Sequence, residues 1–153
     1  MKLVREGSED EAVNSAGSAL NEALYKYNHL PTLLMLSGGS ALKLLPHINT
    51  GIFTVLNGVT VVDERFSEDP NVNNFAQIAA TDFYKKSKNR GAEFIDPRSQ
   101  AGETVDQSAD RFEKMLRAWL ERFKNGKVVD EFVGAISEAH VKSFLMKNGI
   151  NNK

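Results

Sequence analysis

The sequence predicts an α/β fold: an open, mainly parallel sheet with helices on both faces. Three observations carry this. Segments with helical apolar spacing alternate with short β-rich runs, the pattern of strand–helix–strand crossovers. A pair of glycines stands where an apolar run gives way to a helix, in LSGGSALKLL (36–45). The chain has 153 residues, 41% hydrophobic and 25% charged, which is ordinary for one globular domain able to bury a core.

The elements follow in order. Ser8 and Glu11 fit the S-x-x-E capping box. Ala12, Ala16, Ala19, Leu20, Ala23, Leu24 and Tyr27 then repeat at helical spacing, with Glu9, Asp10 and Glu11 in the first turn where the helix dipole favours them. Pro31 ends that helix, and TLLML (32–36) reads as a buried strand. A short helix over 41–45 closes at Pro46. Residues 53–62 are β-rich but interrupted by Asn57-Gly58, which predicts a turn followed by the strand VTVV. Residues 73–86 read as a helix, and AEFI (92–95) as a strand ended by Pro97. Val105, Ala109, Phe112, Leu116, Trp119, Leu120 and Phe123 mark the clearest helix in the chain. A strand over 127–133 and a helix over 137–147 complete the pattern. The basic run KKSKNR (85–90) falls at a helix C-terminus, where cations are favourable, and reads as a solvated helix end.

Composition narrows the function classes. A formal net charge of -1 gives no bulk attraction to nucleic acid or an acidic membrane. There are no cysteines, so disulfides and thiolate chemistry are excluded. No apolar run approaches the ~18 residues of a membrane span, and the first twelve residues lack a signal-peptide core. A cytoplasmic protein without membrane or nucleic-acid partners is the expectation. No His or carboxylate pair has metal-ligand spacing within one element, so neither metal nor cofactor is expected, and His29 and His47 carry no functional assignment.

Candidate site residues lie at three strand ends. Ser37, Gly38, Gly39 and Ser40 form a glycine turn between strand and helix, the arrangement that aims backbone amides at an anion. It has neither the lysine of a P-loop nor the third glycine of a dinucleotide motif, so a plain tight turn also fits. Asp63, Glu64 and Arg65 follow a predicted strand and, in a parallel sheet, share the carboxyl edge where such sheets bind ligands. Arg65 suits a phosphate or carboxylate, although a local Asp–Arg or Glu–Arg salt bridge fits equally. The third loop holds Gly134, Glu138 and His140; an imidazole there suits a general base, although a lone histidine on a helix is more often a surface or packing residue.

Taken together, LSGGS (36–40), DERF (63–66) and DPNVNNF (69–75) resemble the 6-phosphogluconolactonase and glucosamine-6-phosphate isomerase/deaminase superfamily. The resemblance runs from the first helix to about Phe123. Arg65 looks like the lactonase branch, since the deaminases usually carry tyrosine there. Asn74 matches the asparagine of that branch's Ser-Asn pair, and Asn73 replaces the serine. The resemblance implies a Rossmann-like sheet and a phosphosugar substrate. Gly38, Gly39 and Ser40 would lie around the phosphate and neighbouring oxygens, with Ser37, Glu64, Arg65 and Asn74 also binding substrate. It also implies hydrolysis of 6-phosphogluconolactone with His140 as base and Glu138 beside it. In the family the last motif is G-x-G-x-D-G-H-T-A-S-L-F, and here it reads GAISEAHVKSFL (134–145). Gly134, His140 and Ser143 match and Glu138 replaces aspartate, but Ile136 and Ala139 stand where the inner glycines belong. Family members continue beyond this motif, so the resemblance implies a single domain over 1–153 lacking the family's C-terminal part. Either the chain is truncated or frame-altered, or a homo-oligomer covers the exposed sheet edge. Two other functions stay open: an isomerase/deaminase using Asp63, and a non-catalytic phosphosugar-binding remnant.

Overall fold

A computed structural model describes residues 8–49, 51, 52 and 56–123. The strand expected over 127–133, the helix over 137–147, and with them Glu138 and His140, lie outside the described residues.

The first helix, α1 (Glu9–Lys26), starts where its cap predicts: the Ser8 hydroxyl accepts the amide of Glu11. Its Leu20 and Leu24 are buried. β1 (Thr32–Leu36) follows, with alternate residues buried more deeply, as a pleated strand requires. A 3₁₀ helix (Gly39–His47) replaces the short helix expected over 41–45, and Pro46 lies inside it rather than ending it. β2 (Leu56–Val61) runs parallel to β1.

Asn57-Gly58 is not a turn. Thr32 pairs with Leu56 and Leu33 with Gly58, so Asn57 is the extra residue of an irregularity in the ladder. Its side-chain oxygen accepts the Thr32 amide at 2.9 Å, replacing a lost ladder bond. Gly58 stays in the strand beneath Trp119, whose ring would meet any side chain there.

The helix expected over 73–86 is two helices, α2 (Asn74–Ala79) and α3 (Asp82–Asn89). Thr81 divides them by accepting the Tyr84 amide as the N-cap of α3. β3 is only Glu93–Phe94, parallel to β2, although the Ile95 amide continues the ladder by donating to the Val59 carbonyl. The last described helix, α4 (Val105–Arg122), opens with a full capping box between Thr104 and Gln107.

The fold is therefore mixed α/β with an open three-stranded parallel sheet in the order β1-β2-β3 among the described residues. Two apolar clusters divide between its faces. Leu34, Leu36, Val59 and Val61 pack with α1, the 3₁₀ helix, α2 and α3. Leu33, one residue out of phase, packs instead with Leu116 and Trp119 of α4. No described helix is long and apolar enough to cross a membrane.

Candidate functional site

The carboxyl ends of β1 and β2 bring the first two candidate loops together, as the parallel sheet demands. The two glycines do different work. Gly39 has φ +65°, a conformation that a side chain resists, and the space where that side chain would stand is open. Gly38 has an ordinary backbone. There the reason is contact: a Cβ would come 1.7 Å from Oδ1 of Asn74. The close approach expected of a ligand is made at Gly38 by a side chain of the protein itself. Gly38 is the N-cap of the 3₁₀ helix, with no side-chain cap bond, so the first amides of that helix are left to solvent or an anion. Ser37 is half-buried and Ser40 exposed.

Asn74 joins the two loops. Its Nδ2 donates to the Asp63 carbonyl at 3.0 Å while its oxygen lies against Gly38. Asn73, buried beside it, donates from Nδ2 to the carbonyls of Arg65 and Ser67 at 2.9 and 3.2 Å. Both asparagines thus hold the 63–67 backbone from the start of α2.

Glu64 turns the other way. Oε1 accepts the amides of Arg65 at 2.9 Å and Asn74 at 2.8 Å, and Oε2 accepts the Phe75 amide at 2.7 Å. A carboxylate on the first amides of α2 supplies the cap that Asn73 does not, and its charge suits the positive end of the helix. Of the two salt bridges open to this loop, neither forms: Glu64 is taken by amides. Asp63 and Arg65 are exposed, and among the described residues neither side chain pairs with another.

Sequence reasoning missed a second group on the same edge. After β3, Asp96 forms a fork with Arg98, whose Nη2 lies 2.5 Å from Oδ2, and this hydrogen bond raises the Arg98 pKa above its ordinary value. The Arg98 guanidinium also covers the Phe75 ring at 5.4 Å. Arg111 of α4 clamps the 96–104 loop: Nε donates to Glu103 at 2.7 Å, Nη1 to the Asp96 carbonyl at 3.2 Å, and Nη2 to the Arg98 carbonyl. The Arg111 hydrogen bond holds Glu103 below the usual carboxylate range, helped by the Gln100 amide. The D-P-R tripeptide after a short strand was the available signal.

Two clefts open among these loops. One of about 670 Å³ is lined by Arg98, Arg111, Asn73 and Glu68 among others. The other, about 210 Å³, lies between Asp63–Phe66 and the start of α4, with Ser99 shared by both. Among the described residues no group of three or more histidines, aspartates or glutamates is arranged to hold a metal ion.

No protein-family model, curated protein or solved structure matches this chain.

Proposed function

We propose that this protein binds a phosphorylated sugar over the carboxyl ends of β1 and β2 and hydrolyses a phosphosugar lactone, 6-phosphogluconolactone to 6-phosphogluconate. The fold that goes with this reading is the Rossmann-like sheet of the lactonase and deaminase superfamily. One observation carries the proposal: Asn74 lies against Gly38 and donates to the Asp63 carbonyl, so the three motifs that carry the family resemblance converge on one place. Gly39 and Ser40 offer open space and backbone amides to the phosphate end, and Arg65 offers an exposed guanidinium unclaimed by any described side chain.

In this reading a neutral His140 deprotonates the water that attacks the lactone carbonyl, and Glu138 orients the imidazole. General-base catalysis supplies roughly 10²–10⁴ in rate. The carboxylate of Asp63, exposed and unpaired among the described residues, favours a second reading: proton abstraction next to a sugar carbonyl, as an isomerase/deaminase requires.

Following 6-phosphogluconolactone loss above its spontaneous rate, in the parent protein and in His140→Ala, tests the first reading. Enzymatic hydrolysis that the variant loses supports it, and equal rates in the two remove His140 from the mechanism. Ammonia release from glucosamine 6-phosphate, abolished in Asp63→Asn, would favour the second. Binding of 6-phosphogluconate without either activity would leave a phosphosugar-binding protein.

A further inference from the structure

We infer that the 210 Å³ cleft between the Asp63–Phe66 loop and the first turns of α4 binds a free apolar α-amino acid. The cleft exists because α4 overhangs the sheet. Eighteen residues of helix span about 27 Å, whereas the six residues of β2 span about 20 Å. Trp119 lies over Gly58 in β2 and Phe112 still packs with the sheet-covering cluster, so the stripe of α4 continues past the strand ends through Ala109 and Val105. Val105 is left 57% exposed, and across the cleft Phe66 is 50% exposed. A cavity of about 150 Å³ with apolar walls takes up benzene, so this one has room for a single ring or a branched aliphatic group.

The rim adds two opposite charges. Asp63 and Arg65 both line the cleft, both are exposed, and neither is paired with a described side chain. The intervening Glu64 is bound to the amides of α2. Two residues apart, their backbones are separated by at most about 7 Å. That spacing suits the ammonium and carboxylate carried on one α-carbon. The ammonium goes to Asp63, and the carboxylate goes to the Arg65 guanidinium. A ligand of one charge pairs with one of the two side chains and leaves the other unpaired; a zwitterion satisfies both. The same Arg65 serves the proposed phosphosugar site, so the amino acid and the sugar phosphate compete for it.

Calorimetric titration of the full chain with L-phenylalanine tests the inference. Losing either charge contact costs about tenfold or more in affinity, so 3-phenylpropionate and phenethylamine should each bind at least that much more weakly. Ala109→Trp, at an exposed helix position that lines the cleft, should fill it and remove phenylalanine binding while leaving the melting temperature unchanged. Val105→Glu should weaken binding by placing a carboxylate on the rim. Absent binding of L-phenylalanine to the parent protein, comparable affinity for the two analogues, or undiminished binding in both variants would overturn it. Binding of 6-phosphogluconate is measured alongside in Ala109→Trp: its persistence there, with phenylalanine binding lost, separates the two sites. Its absence from the parent protein counts against the phosphosugar reading alone.

Discussion

Replacing Glu64 tests how the site loop is held. In Glu64→Gln the side chain keeps its size, and its one oxygen can still accept the amides of Arg65 and Asn74. The new NH₂ group then faces the Phe75 amide, which loses its 2.7 Å bond to Oε2. Phe75 is 1% exposed, so water reaches that amide poorly. An unsatisfied buried donor costs about 1–3 kcal/mol, and loss of a carboxylate at a helix N-terminus about 0.3–1 kcal/mol more. We expect a loss of about 2 kcal/mol, which for a domain of this size is a fall of about 4–8 °C in melting temperature. Urea denaturation should give the same free-energy change with an unaltered slope. A fall of less than about 2 °C would mean that the carboxylate contributes little to the fold and is free to act on substrate.

Other outcomes follow from the same geometry. Gly38→Ala forces a Cβ onto Asn74 and should cost about 1–3 kcal/mol; combined with Asn74→Ala the loss should shrink, giving a coupling of about 1 kcal/mol in a double-mutant cycle measured by urea denaturation. Gly39→Ala meets nothing but must hold φ +65°, so its cost of about 1–2 kcal/mol should be the same with and without Asn74→Ala. Folding lowers the Glu103 pKa, so its contribution is complete above the ordinary carboxylate value of 4.5 and disappears as pH falls through the lower folded value. Glu103→Gln should therefore be less stable than the parent at neutral pH, and urea denaturation at about pH 3 should show the gap narrowed.

Where structure is set by neighbours in sequence, the sequence was readable. Ser8 caps α1, and the stripe from Phe112 to Leu120 lies in α4 with Phe123 as its C-cap, because helical spacing and cap chemistry act within a few residues. The SGGS and DER loops meet because parallel strands deliver their carboxyl ends to one edge. The misreadings came from contacts made at a distance. Asn57-Gly58 carries a turn signature, but an Asn57 bond to Thr32, 25 residues earlier, keeps it in the sheet. Glu64 caps a helix that begins ten residues later, beyond any local cap pattern. Gly38 looked like space for a phosphate; the space is filled by Asn74, 36 positions on. The break at Thr81 was visible in principle, since a threonine before an aspartate is a helix-start signal, but the apolar spacing on both sides concealed it.

A phosphosugar site at the ends of β1 and β2 should show itself in a thermal melt with and without 6-phosphogluconate. At a hundred times its dissociation constant a ligand stabilises the folded state by about 2.7 kcal/mol, a rise of roughly 10 °C for a chain of this length. That rise is expected in the parent protein and should be lost in Arg65→Ala. A cooperative melt that 6-phosphogluconate leaves in place would contradict it.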